Sequence, residues 1–286
     1  MSERYVTGNK YQRAMGSVLR YALLIAFAVI TLFPVLWLVV SGFLPNYELL
    51  RLPPKLIPVN GTLKNFIDVF TNATYRRYFL NSFITSGGTV LLCLFVSVLA
   101  GYSLSRFRFP GKKTIETSIL SVQMFPIVVI EISLYTFYLK WGLMNTYSGL
   151  ILADVTFCLP LCITLMKSFF DTIPRSLDES AKIDGAGRLQ TLVQILSPLV
   201  KPGAVAIGIY TFLYSWDDFL FALMIMQKPE LKTLPVGLAQ SFMGQYADNY
   251  AGMMAFSFAA SLPVVVLFMF FQKQMVSGLT AGAVKG

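Results

Sequence analysis

The sequence predicts an all-α membrane protein with six transmembrane helices, on three observations. The first is composition. Of 286 residues, 56% are hydrophobic and only 13% charged, where soluble domains carry about 25% charged residues. The second is segmentation. A spanning helix needs about 20 mostly apolar residues, and six stretches reach that length, at 21–44, 80–104, 115–139, 148–166, 203–226 and 250–272. The third is where positive charge falls. Between those stretches, one side collects Arg4, Lys10, Arg13 and Arg20, then Arg106, Arg108, Lys112 and Lys113, then Lys167, Arg175, Lys182, Arg188 and Lys201, then Lys273 and Lys285. The other side holds only Arg51, Lys55, Lys64, Arg76, Arg77, Lys140, Lys228 and Lys232. The positive-inside rule then puts both termini and the loop 167–202 in the cytoplasm. No low-complexity linker divides the spans, so residues 1–286 read as a single transmembrane domain.

The first apolar stretch is too long for a signal-peptide core and lacks a small-residue cleavage site, so it is expected to stay as a span. The segment 45–79 is the longest outer loop. Leu52-Pro-Pro-Lys55 and Pro58-Val-Asn-Gly61 make turns in it, and 63–70 has the pattern of a short amphipathic helix. Asn60 and Asn72 open Asn-x-Thr triplets, which serve as glycosylation acceptors only in a eukaryotic secretory protein. Ser97 and Gly101 in the second span, and Ala251, Ala255 and Ala259 in the sixth, are small residues spaced for close helix packing in lipid.

Cys93, Cys158 and Cys162 lie inside spans and read as small apolar filler. The chain has no histidine, which excludes His-based acid/base chemistry and His-ligated metals. No metal-ligand cluster and no nucleophile–base pair is apparent, so the chain does not read as an enzyme. Gly111-Lys112-Lys113 lacks the glycine spacing and the Ser/Thr of a phosphate-binding loop.

The loop between the fourth and fifth spans is more patterned than a plain connection requires. Ser176-Leu-Asp-Glu179 has the form of a capping box, which starts a helix near Leu177. Asp178 suits the positive end of that helix, and Gly185 is placed to end it in a left-handed conformation. Beyond Gly187, residues Leu189, Leu192, Val193 and Leu196 are spaced as one apolar stripe, and Pro198 and Pro202 punctuate the return to the membrane. Two short helices with a bend between them follow, either resting on the lipid surface or forming a docking site.

The order Glu179-Ser-Ala181, Asp184-Gly185-Ala186, eight residues to Ile195, then Pro198 resembles the EAA loop of binding-protein-dependent ABC importer permeases. Here Glu-Ser-Ala stands for Glu-Ala-Ala, and Ser197 precedes the proline where leucine is usual. "YFLNS" at 78–82, "AGYSLSRFRFPGKK" at 100–113, "QMFP" at 123–126, "SWDDFL" at 215–220 and "GLTAGAVKG" at 278–286 are similar to the sugar-permease branch, which includes the second inner-membrane subunit of maltose-type importers. Relatives often have Trp-Asn where this chain has Trp216-Asp217. The resemblance implies an ABC importer type I permease fold with cytoplasmic coupling helices between spans 4 and 5, in the cytoplasmic (inner) membrane of a bacterium or archaeon.

It implies no cofactor bound by this chain. ATP and magnesium would be handled by two ATP-binding partner subunits. A homologous second permease would complete the pathway, and an extracytoplasmic solute-binding protein would deliver a sugar; membrane lipid surrounds the assembly, and no nucleic acid is involved. On this basis Glu179, Ala181, Asp184, Gly185, Leu189, Leu192 and Pro198 are the ATPase-coupling candidates. Glu179 and Asp184 would make polar contacts, and Leu189 and Leu192 would fill a groove. The tail 281–286 would reach toward the ATPase pair.

Charged side chains inside spans are costly and usually face a wet cavity or a partner. Glu131, Asp154, Asp217 and Asp218 are such residues, and with Gln123 and Trp216 they are the candidates for the solute pathway. On a continuous helix Asp217 and Asp218 point about 100° apart, so one of them would face the pathway, with Trp216 or Phe219 stacking on a sugar or simply packing at the interface. Acidic spans disfavour an anionic solute such as glycerol phosphate, the nearest competitor within the family. Outside the family, the alternative is an ATP-independent carrier using Glu131, Asp154 and Asp217 for ion coupling.

Overall fold

The computed structural model describes residues 10–51, 60–243 and 249–283, with side chains between 15 and 272. The turn-makers at 52–55 and 58–59 and the last three residues of the tail lie outside the described residues. Everything described is helix or connection, with no strand. In order the helices are α1 (Lys10–Phe43), α2 (Asn46–Leu49), α3 (Lys64–Thr71), α4 (Ala73–Arg106), α5 (Lys112–Ser121), α6 (Ile127–Lys140), α7 (Tyr147–Asp171), α8 (Ser176–Ile183), α9 (Arg188–Gln190), α10 (Ser197–Leu199), α11 (Lys201–Trp216), α12 (Leu220–Ile225), α13 (Leu234–Phe242) and α14 (Tyr250–Ala283).

Four helices are long and apolar enough to cross a membrane alone: Met15–Phe43, Ala73–Arg106, Tyr147–Asp171 and Tyr250–Gln272. They correspond to the first, second, fourth and sixth predicted spans. The third and fifth stretches are not single helices, which corrects the sequence reading. In the third, Lys112–Met124 and Ile127–Lys140 meet at 98°. Pro126 explains the break, because it lacks an N–H and forces the residue before it out of helical space; Phe125 has ψ 135°. In the fifth, α11 stops at Trp216. The Asp218 carboxylate accepts the amides of Phe221 at 3.3 Å and Ala222 at 2.8 Å, so it caps a new helix, α12, rather than continuing the old one. At its other end α11 meets Arg188–Leu199 at 78°.

The described chain forms two compact units, residues 1–69 with 247–259 and residues 70–246 with 260–286. In the first, the predicted amphipathic helix is α3. Asn65 donates to the carbonyls of Gly42 and Leu44 at 2.9 and 3.1 Å, which satisfies acceptors that the end of α1 would leave open. A Cβ on Gly42 would lie 2.8 Å from the Phe66 ring and 3.2 Å from the Ala255 backbone, so α1, α3 and α14 meet closely enough that any side chain there would displace Phe66. Ala251, Ala255 and Ala259 are all buried there, the packing role expected of them.

The second unit is built on α4, α7 and α11. Its core includes Cys93, Cys158, Cys162, Met166, Phe170, Leu192, Leu196 and Ile207, and the three cysteines are free thiols. Gly101 sets the approach of α4 to α7: a Cβ there would lie 2.9 Å from the Lys167 amide nitrogen. Asn72 begins α4 by accepting the Thr74 amide at 2.8 Å. The "YFLNS" motif fixes a connection. Asn81 donates to the carbonyls of Glu230 and Lys232 and accepts from the Tyr147 hydroxyl, while Ser82 accepts the amide of Leu234.

Candidate functional site

Two regions hold the residues singled out from the sequence. The first is the loop after α7. α8 begins at Ser176, one residue early, with Arg175 in helical conformation and no side-chain cap. The expected capping box is therefore not formed: Ser176 is already inside the helix, out of register for it. The helix stop is as expected. Gly185 has φ +79°, its amide bonds the Lys182 carbonyl at 3.2 Å, and the Ala186 amide bonds the Ala181 carbonyl at 2.9 Å. This double closure is a Schellman turn. It uses the backbone of Ala181, whose side chain is buried, and leaves Glu179, Asp184 and Gly185 exposed.

The second helical piece is α9 and α10 joined through a π-helical stretch, Thr191–Leu196. The predicted single stripe divides into two. Leu192 and Leu196 turn inward and join the core of the second unit, while Leu189 and Val193 remain exposed, Leu189 by 68%. Each pair is spaced i, i+4 and so shares a face, but the two faces differ. Leu192 packs inside this chain's own core, so the residues of the stripe that stay outside are Leu189 and Val193. They are joined by Ile183, 86% exposed, which sequence reasoning missed. Its signal was available: a bulky β-branched residue just before the Asp184-Gly185 stop, in a helix whose other apolar residues are only Leu177 and Ala181. Pro198 is exposed within α10.

The second region lies around the end of α11. Asp217 and Asp218 line an open cleft with Tyr210, Tyr214, Phe219 and Ile127. Because the helix ends at Trp216, the two aspartates differ by local chemistry rather than by helical angle: Asp218 is occupied with backbone amides, and Asp217 is exposed. Trp216 does not line the cleft. It is buried, stacked on Phe212 with centroids 5.3 Å apart and packed on Phe83 at 4.7 Å, and its Nε1 donates to the Ala260 carbonyl at 3.2 Å. The aromatic residues that do line the cleft are Phe219 and, one turn apart on α11, Tyr210 and Tyr214.

Asp154 is fully buried on α7. Its Oδ2 accepts the Ser215 hydroxyl at 2.5 Å and the Thr89 hydroxyl at 3.4 Å, so it joins α7, α11 and α4. Glu131 is half-buried on α6, and Gln123 is exposed in the turn before Pro126. The structure thus brings Asp217 and Asp218 together, and places Asp154, Trp216 and Gln123 elsewhere.

Residues 93–280 match the family model described as "Binding-protein-dependent transport system inner membrane component". The chain is 36% identical over 278 residues to "Inner membrane ABC transporter permease protein YcjP" of Escherichia coli (strain K12), covering 96% of this chain and 99% of that one. It is 36% identical over 265 residues to "Trehalose/maltose transport system permease protein MalG" of Thermococcus litoralis, covering 92% and 94%. Among solved structures it is similar, at a TM-score of 0.79 and 21% identity over 93% of this chain and 98% of the other, to a chain of a "bacterial ABC transporter involved in the import of the acidic polysaccharide alginate". At that identity the likeness speaks to the fold alone.

Proposed function

The chain belongs to the family of binding-protein-dependent transport system inner membrane components, and from that premise we propose that it is the permease subunit of an ATP-driven carbohydrate importer. The likeness over nearly its whole length to a trehalose/maltose permease carries this reading. The chain spans the inner membrane six times, with the two bent stretches each making one crossing and both termini in the cytoplasm. It forms half of the pathway, and a second permease supplies the other half. Of two ATP-binding subunits in the assembly, one docks on α8 and α9, and a solute-binding protein delivers the sugar from outside.

What supports α8 as the dock is the exposed apolar set Ile183, Leu189 and Val193 on either side of the left-handed Gly185 turn. Several large apolar residues exposed in one polar loop are the kind of surface that contacts a partner. Glu179 and Asp184 flank them as polar contacts. Isolated, the chain is expected to hydrolyse no ATP, and ATP-driven sugar uptake should appear only when the ATP-binding subunits, the second permease and the binding protein are added in proteoliposomes. Turnover by the purified chain alone, with contaminating ATPase excluded, would overturn the reading.

The solute meets this subunit at the cleft of Asp217, Tyr210 and Tyr214. Carboxylates accept hydroxyl hydrogen bonds and tyrosine rings cover apolar sugar faces, whereas two aspartates would repel an anionic solute. Asp217→Asn keeps shape and acceptor, so uptake should stay near parental. Asp217→Leu removes both, and uptake at limiting sugar should fall about tenfold, the order expected for a lost hydrogen bond to a charged group. Parental rates for both properly inserted variants would remove Asp217 from the solute path.

A further inference from the structure

The end of α4 lies against the loop that carries α8, and the contacts are dense. Arg106, the last residue of α4, has its Nε 3.0 Å from the Asp178 carboxylate, in the first turn of α8. The same guanidinium donates to the Ile173 carbonyl at 3.1 Å, in the turn that leads into α8. Ser105 donates to Asp171 at 2.6 Å, and Arg175 reaches back to the Ser105 carbonyl at 3.3 Å. One residue further on, the Phe107 ring lies 5.0 Å beneath the Arg188 guanidinium, at the start of α9. Three consecutive residues of the "SRFRF" stretch therefore hold three successive parts of the loop. The Arg106 side chain is only 7% exposed, so this is not a solvent-screened surface pair of little consequence.

We propose that Arg106, supported by Ser105, is a positioning residue that clamps α8 to the inner end of α4, so that a displacement of α8 by the ATPase moves α4 as well as the helices joined to the loop by the chain. The deduction rests on the reading of α8 as the ATPase dock. Its physical basis is the shape of the guanidinium. A planar fork engages a carboxylate and a carbonyl in two directions at once, which a lysine ammonium at the same place does with less geometric control. Without the clamp, the loop keeps its Ser105 and Phe107 contacts, but α8 itself loses its direct tie to α4 and shifts more readily under load.

The test uses the full reconstituted importer and reads sugar imported per ATP hydrolysed. Arg106→Ala should leave the complex assembled and hydrolysing ATP while that ratio falls about tenfold or more, since the partly buried Asp178, 23% exposed, loses its ion partner and α8 its tie to α4. Arg106→Lys should fall between. The exchanged pair Arg106→Asp with Asp178→Arg should recover a large part of the ratio lost in either single variant, a coupling that additive damage does not produce. A parental ratio in Arg106→Ala, or a double exchange no better than its worse single variant, overturns the clamp. If Arg106→Ala does not accumulate as folded protein, Asp178→Asn decides instead: a parental ratio there overturns the proposal and a lowered one supports it. Cross-linking of Ile183→Cys to the ATP-binding subunit in the otherwise parental complex separates the two readings. Its absence removes the dock, whereas its presence with unchanged ratios removes only the clamp.

Discussion

Replacing Gly185 by valine is expected to reduce ATP-driven uptake to less than about a tenth of parental while the chain inserts normally, because the residue holds a backbone state that a β-branched side chain enters only with strain. The space around it is open, with no atom within 4 Å of where a Cβ would stand, so the main effect is conformational. Strain of about 1–2 kcal/mol shifts the bend by roughly 5- to 30-fold between populated states, and the Lys182 and Ala181 carbonyls lose their partners when it opens. This sets an order that steric damage would not. Asparagine tolerates the left-handed region and should retain most uptake, alanine should be intermediate, and valine worst. Uptake in proteoliposomes, with insertion checked separately, measures it. A valine variant that inserts, binds the ATP-binding subunit and transports normally would show that the bend is not part of coupling.

What is legible in the sequence follows from which interactions are local. Gly185 as a stop, the small residues Gly101, Ala251, Ala255 and Ala259, and the four long helices depend on spacing along one helix and on side-chain size. The breaks depend on a competition that apolar length hides. Pro126 in "QMFP" breaks the third stretch at Phe125, whereas Pro34, Pro160 and Pro263 lie inside continuous helices, so a proline within an apolar run does not by itself mark a break. Asp218 ends α11 by offering its carboxylate to two amides ahead of it, and no periodicity records that choice. The apolar stripe after Gly187 assumes 100° per residue, and the π-helical stretch sends Leu192 and Leu196 into the core while Leu189 and Val193 stay outside. Trp216 resembles a sugar platform because it adjoins two aspartates; its partners Phe83, Phe212 and Ala260 include two that are distant in sequence. The Arg106–Asp178 pair is of the same kind, since it joins residues that only the packing of α4 on α7 brings together.

Asp154 gives the second large effect, and it separates two ways of using a buried carboxylate in a membrane. In an ion-coupled carrier its charge is the working part, so Asp154→Asn would abolish transport. The structure gives it a different setting: no exposure, one oxygen that accepts the Ser215 hydroxyl with the Thr89 hydroxyl 3.4 Å away, and three helices meeting at it. Interhelical hydrogen bonds of this kind hold a bundle together, at about 0.6–2 kcal/mol each. Asparagine keeps the acceptor and the shape, so uptake by Asp154→Asn should stay within about threefold of parental. Leucine fills the space but accepts nothing. Thr89 retains its bond to the Thr85 carbonyl at 2.9 Å, whereas Ser215 is left with a buried hydroxyl that has lost its acceptor, a cost of about 1–3 kcal/mol. Asp154→Leu should therefore lower both the yield of folded protein and its melting temperature in detergent, and uptake by about tenfold or more. If the asparagine variant folds as well as the parent yet transports as poorly as the leucine variant, the charge itself is required, and Asp154 is more than a link between α4, α7 and α11.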